Sequence, residues 1–319
     1  RRPPRSTLFP STTLFRSAVL WLLLSGDALA ARIGVVKSRN LSSYNAVITA
    51  FSIAGRHEIV EYDMRNDVKR GKAVIQQLEH EKVDMVLAIG PLAAALAAEG
   101  IKNTPILFCM VPNPESYGLK TPNISGISLT IPLKTQLGTL RIMADNVKRV
   151  GVIYNRNNSA AIVEQAVQAA RSLGMELVAE EIRNAGEVSK ALGNLNGRID
   201  ALWIIPDNDV LNRSAHNLMV DFTIRNRIPF FTLTPKLVKA GGLLSLSPDY
   251  AAIGKQAALL AGKICDGRLK PSQVPISAPE GIKIAINLTT SKKIGVQCDI
   301  ALQVFTYAAR HGFPIEVYE

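Results

Sequence analysis

Side chains able to hold a small polar molecule recur in this sequence at the ends of short apolar runs. After IGVV (33–36), a loop carries Ser38, Arg39, Ser42, Ser43 and Tyr44 ahead of a helical stretch. The serines can cap that helix or meet a ligand. The Arg39 guanidinium is either a surface group or a bidentate holder of carboxylate or phosphate. After DMVLAIG (84–90), Gly90 and Pro91 open another helix. Glycine lets a ligand approach the backbone, proline suits a first turn, and the helix N-terminus offers N–H donors. A purely structural turn is the competing account. Asn158 and Ser159 precede a further helix, with Ser159 a good N-cap. Asp207 and Asn208 follow Trp203–Pro206, where a carboxylate beside a helix start stabilises the helix dipole. Thr232 and Thr234 come after IPFF and need be no more than turn residues; Asp249 reads first as the cap of the helix behind it. Tyr44, Tyr154, Phe231 and Tyr250 fall near strand ends and could stack on a flat ligand, although core packing accounts equally for Phe231.

Bond-making chemistry has no comparable support. No G-x-G-x-x-G follows the first strand and no Walker A sequence occurs, so dinucleotide and nucleotide phosphates lack a cradle. G-x-S-x-G is absent. His57, His80, His216 and His311 are scattered and read as surface or helix-end residues. The three cysteines have no metal-ligand spacing and cannot all pair within one chain. Cys109 and Cys265 read as core residues, and a Cys265–Cys298 disulfide stays open for an oxidising compartment. The expectation is a protein without catalytic residues, metal or cofactor.

What positions the candidate residues is a βα series. From Arg32, unbroken β-rich runs (33–36, 58–62, 84–90, 105–111) alternate with helical patterns around 43–53, over 67–81 and from Pro91. Unbroken runs suit parallel strands covered on both faces. The fold class expected is therefore α/β with open, doubly wound parallel sheets. The series then restarts. RIGVV (32–36) is echoed by RVGVIY (149–154), EIVEYDMRN (58–66) by ELVAEEIRN (176–184), and KVDMVLAIGP (82–91) by RIDALWIIPD (198–207). TPILF (104–108) and SGISLTIPLKTQ (125–136) return as IPFFT (228–232) and GLLSLSPDYAAIGKQ (242–256). Five echoes in one order indicate an internal duplication. Ligands of open parallel sheets sit beyond the carboxyl ends of the strands. Two such lobes across a hinge make a cleft walled by strand ends and helix N-termini, the geometry of a clamshell that closes on a small ligand.

The chain has 319 residues, 47% hydrophobic and 20% charged. That composition excludes a disordered or collagen-like chain, and the length suggests two domains. Residues 1–17 repeat themselves crudely (STLF, TTLF) and read as non-native sequence. Ala18–Leu24 is an apolar core preceded by Arg16 and followed by Ala28-Leu29-Ala30, which together read as a signal peptide; a buried strand is the competing account. No cysteine follows the cleavage site, so the expected product is periplasmic and not lipid-anchored. The net charge of +11 invites a nucleic-acid partner. Residues 1–30 contribute four Arg and one Asp to it, and the remaining basic residues form no run of five, so a solvated surface is the better account.

Specific segments then resemble a family. VDMVLAIGPLAA (83–94), ILFCMVPNP (106–114), RVGVIYNRNNS (149–159), IDALWIIPDNDV (199–210), IPFFT (228–232), KAGGLLSLSPDYAAIGKQAA (239–258) and INLTTSKKIGV (286–296) are similar, in this order, to ABC-transporter substrate-binding proteins of the type I periplasmic-binding fold, in the branch with tryptophan- and phenylalanine-binding members. The first loop, KSRNLSSYN (37–45), lacks the family's frequent His-Pro pair, and the tail after Val296 fits poorly. The resemblance implies two lobes joined by three crossovers: 32–128 with 249–279, and 129–248 with 280–319. Hinges then lie near Ser128, Pro248 and Gly281, each beside a turn signal. It further implies ligand contacts at Pro112 and Asn113 and at the strand end Tyr154-Asn155. Asp207, read functionally, would hold the ammonium that an amino-acid binder must meet. The implied function is delivery of a small polar solute, an amino acid with aromatic ones included, to an inner-membrane permease by a monomer. A sensory input protein reporting to a membrane kinase is the alternative, and a hydrolase built on the cleft a third.

Overall fold

The computed structural model describes residues 31–319 apart from Asp145 and Val296, and apart from the side chains of residues 297–299. The leader and signal-peptide expectations for residues 1–30, and the partner thiol expected for Cys265, lie outside the described residues.

The first sheet comprises β1 (Arg32–Lys37), β2 (Glu58–Asp63), β3 (Met85–Ile89), β4 (Ile106–Val111) and β5 (Ile124–Ser128) in the order β2-β1-β3-β4-β5, all parallel. β3 and β4 are buried at every position, as unbroken apolar runs require when helices cover both faces, and β5 is equally buried although its sequence, ISGIS, carries two serines. Between the strands run α1 (Ser42–Ala54), α2 (Val68–His80) and α3 (Pro91–Gly100). In α2 the sequence stripe Val74, Ile75 and Leu78 is the buried face, and the Asp67 carboxylate caps the helix by accepting from the Arg70 N–H.

The second sheet adds α4 (Leu133–Met143), β6 (Arg149–Asn155), α5 (Arg156–Ser172), β7 (Glu176–Ile182), α6 (Val188–Leu195), β8 (Ala201–Trp203), α7 (Arg213–Asn226), β9 (Phe230–Thr232), α8 (Pro235–Lys239) and β10 (Leu244–Pro248). The chain then forms α9 (Tyr250–Cys265), β11 (Ile282–Asn287), α10 (Leu288–Ile294), α11 (Gln297–His311) and β12 (Ile315–Tyr318). The strand order is β12-β11-β10-β9-β8-β6-β7. Its β7-β6-β8-β9-β10 portion repeats the order of the first sheet, and each of the five sequence echoes falls on the equivalent strand. The departure from the parallel expectation is at the β10–β11 pair, which is antiparallel; β12, parallel to β11, runs the same reversed way. β10 leaves this lobe at the carboxyl end of the sheet, and the chain returns there after α9, so β11 must run back the other way.

α9 lies with the first lobe although it follows β10. Ile253, Ala257, Ala258, Ala261 and Ile264 share one buried core with Ile33, Val35, Val47, Phe51 and Leu87. Ile282, Ile284, Ile286, Val304 and Ala308 join the second lobe's core with Val150, Val152 and Trp203. Among the described residues no helix is long and apolar enough to cross a membrane.

One of the histidines read as surface or helix-end residues does sit at a helix start, but it is buried. His216, in the first turn of α7, is buried with its ring 5.6 Å from that of Phe230, and among the described residues neither ring nitrogen makes a well-aligned hydrogen bond. Burial holds its pKa below the ordinary imidazole value, against the opposing carbonyls of Ala240 and Leu237. The folded state thus binds this proton less readily than the unfolded chain, so stability falls as pH drops below about 6.5. His216→Phe is expected to flatten that part of the acid limb in thermal melts between pH 7 and 5. An unchanged slope would exclude His216 as its source.

Candidate functional site

In the first lobe the candidate residues meet where β1 and β3 end. Gly90 is the N-cap of α3 at φ +92°, ψ 168°, a conformation open to glycine, and Pro91 takes the first turn. Ser38 is buried: its Oγ donates to the Ile89 carbonyl (3.2 Å) and accepts from the Ala93 N–H (2.9 Å), tying the β1 loop to α3. The Tyr44 hydroxyl lies beside Gly90, where an added Cβ would stand 2.4 Å from it. Burial pushes the Tyr44 phenol up, with Arg39 the main opposing charge. Arg39 is exposed and makes no ion pair among the described residues. The expectation that Ser42 or Ser43 caps α1 is corrected. Its N-cap is Leu41, which offers no side-chain acceptor, whereas the first turn of α3 is capped from outside by Ser38 Oγ on the Ala93 N–H. The N-terminus of α1 at this strand-end edge therefore keeps N–H groups free for an anion.

The matching edge of the second lobe is acidic. Asp207 is 2% exposed, with Oδ2 accepting from the Asn155 N–H (2.7 Å) and Oδ1 from Asn158 Nδ2 (3.1 Å) and the Asp209 N–H (3.0 Å). Asp207 does not flank a helix start, as its spacing suggested. α7 begins at Arg213 under the cap of Asn212, because a turn over 207–211 intervenes. Asp207 organises that turn and joins it to the end of β6. Asp209 is the half-buried carboxylate the sequence reading passed over. Its Oδ2 accepts from Asn155 Nδ2 (2.7 Å) and Asn158 Nδ2 (2.9 Å), while its Oδ1 meets no donor among the described residues. Its position two residues after Asp207, in the same loop, was the available signal. Ser159 is not the N-cap of α5. Asn155 caps that helix through the Asn157 N–H, and the buried Ser159 Oγ donates to the Pro206 carbonyl (2.9 Å).

Tyr154 is half-buried and Asn208 exposed. Thr232 is buried with its hydroxyl on the Leu244 carbonyl, Thr234 caps α8, and Asp249 caps α9 through the Ala251 N–H (2.9 Å).

Beside the crossovers, Pro112 and Asn113 from the first lobe meet the second lobe around a cavity of about 270 Å³. Leu129, Thr130, Ile131, Leu133, Gln136, Ile162, Gln165, Pro206, Leu233, Leu246 and Pro248 complete its walls, and none of these residues is charged. Asn113 (φ +46°) and Met110 (φ +61°) both adopt left-handed backbone, and the β4–β5 register shifts between Phe108 and Val111. This irregular end of β4 turns Pro112 and Asn113 toward the crossover, where the Asn113 N–H donates to Thr130 Oγ1 (3.2 Å). The sequence marked Pro112 and Asn113 but not the opposite wall, whose residues sit on helix faces and crossovers that become neighbours only in the fold. Among the described residues no cluster of His, Cys, Asp and Glu could hold a metal ion.

Comparison with known proteins agrees with this architecture. A tyrosine-binding protein of Clostridioides difficile is 27% identical over 241 residues, covering 73% of this chain and 69% of that one. The ligand-free, open structure of a Clostridium difficile substrate binding protein with adhesive properties superposes with a TM-score of 0.75 at 24% identity, covering 91% of this chain and all of that one. A Streptococcus pneumoniae structure in complex with L-Trp gives a TM-score of 0.56 at 20% identity, over 86% and 98% of the two chains. Residues 41–311 match the sequence profile of one family across most of the chain. This chain belongs to the family of ABC transporter substrate binding proteins.

Proposed function

We propose that the chain is the exported solute-binding component of an ABC importer and that it takes an amino acid between its lobes. The observation that carries the reading is the opposite polarity of the two strand-end edges. The uncapped N-terminus of α1, beside Arg39, suits a carboxylate, and the free Asp209 Oδ1 suits an ammonium. The uncharged cavity beside the crossovers suits a neutral side chain, aromatic ones included. The tyrosine-binding relative and the tryptophan-bound neighbour support the same class. In this reading Asp207 serves indirectly, by holding Asp209 and Asn158 in place. The closed protein then presents both lobes to an inner-membrane permease and catalyses nothing.

A thermal-shift screen over amino acids, sugars and purines tests the proposal. A ligand at 100 times its Kd stabilises the folded state by about 2.7 kcal/mol. Stabilisation by neutral amino acids is the expected outcome; stabilisation by sugars or purines alone would overturn it. Asp209→Asn removes the charge but keeps an acceptor, and is expected to weaken amino-acid binding at least tenfold with little change in Tm. Calorimetry showing wild-type affinity would remove Asp209 from the site.

A further inference from the structure

We infer that Gln256 is a positioning residue for lobe closure, fixing the pivot by holding the third crossover against the first lobe. Gln256 lies on α9, next to the buried Ile253 and Ala257, and is itself buried although polar. A buried amide is tolerated when its hydrogen bonds are met. Here Nε2 donates to Ser277 Oγ (3.2 Å) and the Ala278 carbonyl (3.1 Å), and Oε1 accepts from the Glu280 N–H (3.1 Å). One side chain thereby serves three groups spread over residues 277–280.

The same segment is tied to the edge of the first sheet. The Ser277 N–H donates to the Gly126 carbonyl (3.0 Å), the Ser128 N–H to the Ser277 carbonyl (2.8 Å), and Ser125 Oγ to the Val274 carbonyl (2.8 Å). At its end, the Asp249 N–H donates to the Gly281 carbonyl (3.0 Å). Gly281 sits so close to the first turn of α9 that an added Cβ would stand 2.2 Å from that of Ala252. The next residue, Ile282, already pairs with Pro248 in the second sheet. The third crossover thus passes from one lobe to the other across the single step Gly281–Ile282.

The other crossovers change hands as abruptly. Leu129 and Thr130 are bonded to Val111 and Asn113 of the first lobe, whereas Gln136 Nε2 donates to the Ile131 carbonyl (2.8 Å) on behalf of α4. Pro248 ends β10, and Asp249 caps α9. Three steps, Thr130–Ile131, Pro248–Asp249 and Gly281–Ile282, define the pivot. Releasing Gln256 would turn 277–280 into a slack linker and spread the rotation over several residues. A defined hinge absorbs its dihedral change at a few positions.

The inference rests on closure of the two lobes and not on which ligand closes them. Its test is single-molecule energy transfer between dyes at Lys69→Cys on α2 and Lys190→Cys on α6, both exposed. Cys265→Ser and Cys298→Ser remove competing thiols; Cys109 stays, since full burial pushes its thiol up to about 12. In ligand-free protein, Q256L is expected to broaden the inter-lobe distance distribution by at least half, and Q256E, which keeps the acceptor but loses both donors, by less. G281A is expected to displace the distribution, and A252G combined with it to restore the wild-type one. Identical distributions in wild type and folded Q256L would overturn the proposal. If Q256L does not fold, an undisplaced distribution in G281A does so instead. Failure to find any ligand leaves these ligand-free readings intact, which separates this outcome from failure of the proposed function.

Discussion

Replacing Asp207 with alanine is expected to destabilise the protein by about 2–4 kcal/mol and to abolish ligand binding. The magnitude follows from what the substitution leaves behind. Two donors, the N–H groups of Asn155 and Asp209, lose their acceptor inside a loop that is 2% exposed at this residue, and the Asn158 amide keeps only Asp209 Oδ2. A buried donor left unsatisfied costs about 1–3 kcal/mol, and hydrogen bonds to a charged group are the stronger ones. At roughly 2–4 °C per kcal/mol, the melting temperature should fall by several degrees. Binding should fail because the turn over 207–211 carries Asp209 and is joined to the end of β6 through Asp207. The contrast with Asp209→Asn separates the two roles. That variant should lose affinity while melting near the wild-type temperature, whereas Asp207→Ala should lose both. Asp207→Ala melting like wild type would show that the loop does not depend on this carboxylate.

Gly90→Ala is the other substitution with a large expected effect, also about 2–4 kcal/mol. A backbone at φ +92°, ψ 168° is essentially restricted to glycine, and strain of this kind costs on the order of 1–3 kcal/mol. The new Cβ would also stand 2.4 Å from Tyr44 Oη and 2.7 Å from Ser38 Oγ, so both side chains must move. Overpacking adds typically 1–3 kcal/mol. Ser38 cannot move freely, because its hydroxyl bridges the Ile89 carbonyl and the Ala93 N–H, so α3 shifts with it. Ligand affinity should drop together with stability. Adding Tyr44→Phe removes the nearest clashing atom but not the backbone strain. The double variant is therefore expected to regain about half of the lost stability, a coupling that a double-mutant cycle measures in denaturant melts. Complete additivity of the two substitutions would place the Tyr44 hydroxyl away from Gly90.

Much of the architecture was legible before any coordinates. Strands were readable as unbroken apolar runs because both faces of a parallel sheet are covered, leaving no polar alternation to confuse the pattern. The duplication was readable because equivalent strands kept equivalent sequences, and the shared strand order of the two sheets repeats it in space. Gly90-Pro91 announced a helix start, since glycine before proline has few other uses at a strand end. Caps were read less well. Ser159 and the Ser42/Ser43 pair were assigned by residue type, yet Asn155 and Leu41 hold the N-cap positions, because a cap depends on the residue at which the backbone turns helical.

By itself, then, the sequence determined an α/β chain of two related lobes with its polar residues gathered at strand ends. Periodicity, apolar runs and turn residues are local signals, and each lobe repeats them. Tertiary structure decided how those polar residues divide their work. Asp207 and Asp209 are separated by one residue and carry the same carboxylate, yet one is enclosed by three donors and the other keeps a free oxygen. It also decided the walls of the cavity beside the crossovers and the clasp of Gln256 on residues 277–280, both of which join segments far apart in the chain. Burial and hydrogen-bond partnership come from the packing of distant segments, and residue type alone does not specify them.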